Sequence, residues 1–77
     1  MSLNDDLIHE INLLLKFDLA NAQSGLKIHS NAGPEVIAAA QRLFEKKLVD
    51  HQDGGYLTAL GYEVAEHLQA AKRILDI

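Results

Sequence analysis

The sequence predicts a single, mainly α domain of about four helices carrying one small β-hairpin. Three observations lead there. Apolar residues recur at intervals of three and four along residues 3–16, 34–47 and 59–75, the period of helices with one buried face. The run Gln52-Asp53-Gly54-Gly55 separates two short β-prone segments and supplies the positive φ angles of a tight hairpin turn. The chain has 77 residues, enough to close one hydrophobic core and not two.

The first helix is expected from about Leu3 to Lys16. Ser2 and Asp5 form an S-x-x-D capping box, and Leu3, Leu7, Ile8, Ile11, Leu14 and Leu15 make one stripe. Leu13 lies off that stripe, where another element can cover it. A short helix follows, capped by Asp18, starting at Leu19 with Leu19 and Ala22 inward, and closed by Gly25 at its C-terminal end. Leu26 and Ile28 alternate with Lys27 and His29, the two-residue period of an extended segment. Ser30-Asn31-Ala32-Gly33 reads as a turn.

Pro34 restarts a helix, because its missing N–H is harmless at the first helical position. Val36, Ile37, Ala40, Leu43, Phe44 and Leu48 form the inward face of a helix that runs to about Lys47. Arg42, Lys46 and Lys47 crowd its last turns, where the macrodipole favours cations. Leu48-Val49-Asp50-His51 and Tyr56-Leu57-Thr58 are the two strands of the hairpin. Thr58 or Ala59 opens the last helix, whose stripe is Leu60, Val64, Leu68, Ala71 and Leu75.

Composition narrows the function classes. With 48% apolar and 23% charged residues the chain is globular. Absence of cysteine removes disulfide frameworks and thiolate metal sites. Seven Lys and Arg against eleven Asp and Glu give a net charge of −4, which argues against a generic basic nucleic-acid binder. The longest apolar run, Leu13-Leu14-Leu15, is far too short for a membrane span. Asp5 and Asp6 stand where a signal peptide carries positive charge, so a cytoplasmic setting and no membrane partner are expected.

Taken together, helix, short helix, turn, helix, two-stranded hairpin and helix resemble the element order of a winged helix-turn-helix domain. Arg42-Leu43-Phe44-Glu45-Lys46-Lys47-Leu48-Val49 is similar to the end of a recognition helix running into the first wing strand. Tyr56-Leu57-Thr58-Ala59-Leu60-Gly61-Tyr62-Glu63 is similar to the LT-x-x-G-x-E segment that closes the wing in MarR-like regulators. In that segment Leu57 packs inward, Thr58 caps the next helix and Gly61 permits a close backbone approach. These are folding roles. The chain also resembles a small bacterial family of similar length with no established function. One feature departs from the winged-helix order, since the extended segment at Leu26 follows the second helix. Either that helix absorbs Leu26 and Ile28, or the turn before Pro34 is enlarged.

The resemblance implies double-stranded DNA as partner, with helix 34–47 in the major groove. Its outward positions would be Glu35, Ala38, Ala39, Gln41 and Arg42. Arg42 suits guanine and Gln41 adenine, each worth about 1–3 kcal/mol of discrimination in good geometry. Ala38 or Ala39 can meet a thymine methyl, and Lys46, Lys47, Lys27 and Lys16 can neutralise phosphates. Glu35 and the wing residues Asp50 and Asp53 oppose this, because carboxylates repel the phosphate backbone, and the wing tip Asp50-His51-Gln52-Asp53 carries no Arg or Lys. Binding is therefore expected to be weak and salt-dependent.

The alternative is a non-enzymatic protein-interaction module. The last helix carries apolar surface through Leu68, Ala71, Ile74, Leu75 and Ile77, and the resemblance to MarR-like regulators implies a homodimer through it. No catalytic motif is present, so the chain is expected not to be an enzyme. His9, His29, His51 and His67 are scattered. His67 lies one turn from Glu63, but neither an H-E-x-x-H motif nor a Cys/His cluster accompanies it, so no metal or other cofactor is expected.

Overall fold

A computed structural model describes residues 3–21 and 24–76 and gives α1 (Asp5–Leu14), β1 (Leu26–Lys27), α2 (Pro34–Glu45), β2 (Val49–His51), β3 (Gly54–Leu57) and α3 (Ala59–Leu75). Asn4 caps α1, its side chain accepting the Leu7 N–H at 2.8 Å. Asp5 and Asp6 then occupy the first turn, where the helix dipole favours negative charge. Ser2, and with it the expected S-x-x-D box, lies outside the described residues.

The short helix expected from Leu19 does not form among the described residues. The Asp18 carboxylate accepts the Ala20 N–H at 3.0 Å, and the Asp18 carbonyl accepts the Asn21 N–H at 3.2 Å. Aspartate can cap a helix or close a turn on its own backbone, and here the turn prevails. Ala22, expected to face inward there, lies outside the described residues. Three helices are therefore seen among the described residues, where about four were expected. One helix, α2, separates β1 from β2, and residues 28–33 between β1 and α2 are loop and turn.

The β-structure is larger than a two-stranded hairpin. β3 is central in the order β1-β3-β2, antiparallel throughout, with Leu26 opposite Gly55 and Val49 opposite Leu57. Gly54 takes φ +112°, and a Cβ there would overlap the Leu26 carbonyl, so glycine is what lets β1 lie against β3.

α2 ends two residues before the expected Lys47. The Lys47 N–H donates to Phe44 O at 3.0 Å and the Leu48 N–H to Leu43 O at 2.9 Å, with Lys47 at φ +65°. This is a Schellman closure with lysine where glycine is usual. Thr58 performs its expected role: its hydroxyl oxygen accepts the Gly61 N–H at 3.0 Å, and the hydroxyl donates to Lys47 O at 2.7 Å. The start of α3 is thereby fastened to the end of α2.

Leu13, Leu14, Phe17, Ala39, Ala40, Leu43, Val49 and Ala65 form the buried core, with Leu26, Ile28, Val36, Phe44, Leu48, Leu57, Val64 and Leu68 packed against it. Two expectations are corrected here. Ala39, expected on the outward face of its helix, is fully buried, and the small pair Ala39-Ala40 brings α2 close to its neighbours. In α1 the buried side is Glu10, Leu13 and Leu14, while Leu3 and Ile8 of the expected stripe stay exposed. The apolar arc of α1 is wider than the surface the body covers.

Candidate functional site

Glu10 sits among the apolar residues of α1, three positions after Leu7 and four before Leu14. It is 4% exposed. A charge in that position requires partners, and α2 supplies two of them four residues apart. Arg42 Nε donates to Glu10 Oε2 at 2.8 Å, and the Lys46 ammonium donates to Oε1. Arg42 Nη2 also donates to the Asp6 carbonyl at 3.1 Å. Burial pushes the Glu10 carboxyl up, but the hydrogen bonds and charges of Lys46 and Arg42 outweigh it and hold the group below its ordinary value.

The candidate DNA-contacting residues are thus divided. Arg42 is half-buried and tied to α1, and Lys46 is tied to the same carboxylate. Lys27, on β1, pairs with Asp53 at 2.6 Å, which holds the Asp53 carboxyl below its ordinary value. Ala38 is half-buried. Gln41 and Lys47 are exposed, and their side chains make no hydrogen bond or ion pair among the described residues. Glu35 stands exposed in the first turn of α2. In the β2–β3 hairpin, Asp50 accepts the Tyr56 N–H at 2.8 Å and meets His51 Nδ1 at 2.7 Å; both hold its carboxyl down.

An apolar groove runs between α1 and α3. It has a volume of about 430 Å³ and is lined by Leu3 just before α1, by Leu7, Ile11 and Leu14 of α1, by Leu43 and Leu48, and by Val64 and Leu68 of α3. Glu10 and Lys46, which also line it, neutralise each other. Past the groove α3 carries exposed apolar side chains to its end, with Ile74 at 67% and Leu75 at 83% exposure; Ile77 lies outside the described residues. A second hollow of about 480 Å³ lies beside β1, between Ile28, His29 and Ile37, with the Lys27–Asp53 pair in its lining.

Sequence reasoning missed Glu10 and the groove. For Glu10 the signal was present: a carboxylate inside an apolar stripe, with Arg42 and Lys46 at helical spacing elsewhere in the chain. Glu63 and His67 are both exposed. Among the described residues no group of three or more His, Asp or Glu is placed to hold a metal ion, and no helix is long and apolar enough to cross a membrane.

Fold and site together define a small, mainly α domain with a three-stranded antiparallel sheet and an uncovered apolar groove. Over residues 1–76 the chain matches the model of a family of unknown function (DUF5669), and it belongs to that family. No curated protein and no solved structure matches it. Of the two likenesses in the sequence, the one to a family without an established function is therefore supported, and the one to MarR-like regulators gains no support.

Proposed function

We propose that the chain is a non-enzymatic protein-interaction module that takes an apolar helical surface into the α1–α3 groove. The observation that supports it is the groove itself. Its lining is almost wholly aliphatic and its two charges cancel, and beyond it Ile74 and Leu75 stand exposed near the end of α3. Open apolar surface of this kind marks interaction sites on small proteins. Aliphatic residues at i, i+4 spacing along both walls suit a helix-in-groove contact.

Double-stranded DNA, with α2 as recognition helix, is the weaker reading. Arg42 and Lys46 would have to leave a buried carboxylate to reach bases or phosphates, at the expense of uncovering that charge. Gln41 and Lys47 remain presented, which is little against the salt-dependent competition a phosphate backbone imposes. The winged-helix likeness keeps its hairpin and following helix, but the helix-turn-helix pair has no counterpart among the described residues.

A low-salt titration with random duplex DNA separates the two. The module reading expects no complex up to about 50 μM protein. A complex at lower concentration that Gln41→Ala or Lys47→Ala weakens would replace it with the DNA reading.

A further inference from the structure

The two edges of the sheet are finished differently. β2 is guarded: its register shifts between Val49 and His51, and Val49 is 2% exposed. β1 is open. Opposite residues of an antiparallel pair alternate between exchanging hydrogen bonds and facing away. The Ile28 N–H donates to Asp53 O at 2.8 Å, which makes Ile28–Asp53 and Leu26–Gly55 the bonded pairs. Lys27, opposite Gly54, therefore turns its N–H and C=O away from β3. Gly25 and His29 fall in the same phase. Among the described residues the Gly25 N–H and C=O and the His29 N–H have no hydrogen-bond partner, and Gly25, Lys27 and His29 are all exposed.

The usual guard on such an edge is a charge held out along it. Lys27 is the residue placed to supply one, but its ammonium is drawn back to Asp53 at 2.6 Å, on the β3 side. At the Ile28 end of the edge lies the hollow of about 480 Å³, with Ile28, Ile37 and Ala40 as its apolar lining. Ile37 stands 39% exposed there.

We propose that β1 docks an extended peptide segment of another protein, which adds a fourth strand to the sheet and sets one apolar side chain against Ile28 and Ile37. Two independent features choose this occupant. Unpaired backbone groups on every second residue repeat at about 6.8 Å, a spacing that an extended backbone matches and a helix or a nucleic acid does not. The apolar lining of the hollow takes an aliphatic or aromatic side chain, and the Lys27–Asp53 pair beside it is already neutral. Among the described residues this hollow and the α1–α3 groove share no lining residue, so the proposal goes beyond the interaction-module reading and does not depend on it.

Amide NMR of the full chain tests this, with capped pentapeptides carrying Leu, Ile, Phe or Ser between two pairs of threonines. The three apolar peptides should bind with dissociation constants of about 1 mM or tighter, and the serine peptide at least about fivefold more weakly. Bound peptide should slow solvent exchange of the Lys27 and His29 amides at least about tenfold. Methylating alternate backbone nitrogens of the leucine peptide gives two phases, of which only one turns its methyl groups to β1. That phase should lose at least about tenfold in affinity, and the other should stay within about twofold of the parent. Proline is tolerated on an edge strand where the N–H faces solvent, so Lys27→Pro removes the outward donor and should weaken binding at least about fivefold. Lys27→Ala keeps that donor and should stay within about twofold of the parent. If Lys27→Pro fails to fold, the methylated peptides decide alone. No binding by any peptide at about 5 mM, equal affinity for the two methylated phases, or equal losses from the folded Lys27→Pro and Lys27→Ala variants overturns the proposal. Amide shifts confined to α1 and α3 would put the peptide in the groove, and they too overturn it while leaving the groove reading standing.

Discussion

Arg42 Nε donates to Glu10 Oε2 at 2.8 Å, joining α2 to α1 across 32 positions of sequence. Lys46 holds the other carboxylate oxygen, so one buried acid occupies two of the cations expected to contact DNA. Replacing Glu10 by Gln leaves these cations without their counter-charge while keeping the shape. The expected loss is about 1–3 kcal/mol of unfolding free energy, at the low end because Arg42 and Lys46 keep some solvent. Urea denaturation at neutral pH measures it. An unchanged midpoint would mean that the cluster contributes nothing to stability.

The same carboxylate sets an acid dependence. In the fold its pKa lies below the ordinary 4.5. A depressed folded pKa gives stability that is fully present above the unfolded value and is lost as pH falls through the folded one. Asp50, held down by the Tyr56 N–H and His51, and Asp53, held down by Lys27, act with the same sign below their ordinary 3.8. The urea midpoint should therefore be insensitive to these groups from about pH 7 to about pH 5 and should fall below that. The Glu10→Gln variant should show a shallower acid decline, and a parallel decline would assign the effect to other groups.

How far the fold was legible depended on whether its signals were local. Thr58, Leu57 and Gly61 act within a few residues of one another, and the sequence assigns all three their roles at the β3-to-α3 junction. Asp18 is also local, but its carboxylate has two local uses, and only the position of the Ala20 N–H decides between them. The burial pattern was less legible. On α1 the apolar residues span more than one face, so choosing Leu13 over Ile8 for the interior needs α2 in place. The candidate site follows the same division: Arg42 and Lys46 are visible as cations, but the destination of their charge lies on another helix.

Lys47 occupies the left-handed region at φ +65°, closing α2 in a position that favours glycine. Its side chain has no ion-pair partner among the described residues. Lys47→Gly should relieve the backbone conformation and raise stability by about 0.5–1 kcal/mol, after allowing for the greater freedom of glycine in the unfolded chain. Thermal unfolding reads this directly. Lower stability would mean that the lysine stem packs on the body in a way its exposure does not suggest.

Gly61 is buried where α3 passes the start of β2, and a Cβ there would overlap the Leu48 carbonyl. The obstacle is backbone, so no rotamer change relieves it. Leu48 O is moreover the acceptor of the Thr58 N–H at 3.1 Å, and Thr58 caps the helix through the Gly61 N–H. Displacing Leu48 to admit a methyl group therefore strains the cap and the α2 closure together. Gly61→Ala should destabilise the fold by about 2–3 kcal/mol, the range of overpacking with backbone movement. Thr58→Ala, which removes the cap without adding bulk, should lose about 1 kcal/mol. Because the two residues share one hydrogen bond, the double variant should lose less than the sum of the single losses. Urea unfolding of the four proteins in this cycle measures that coupling, and strict additivity would show that Gly61 is required for space alone.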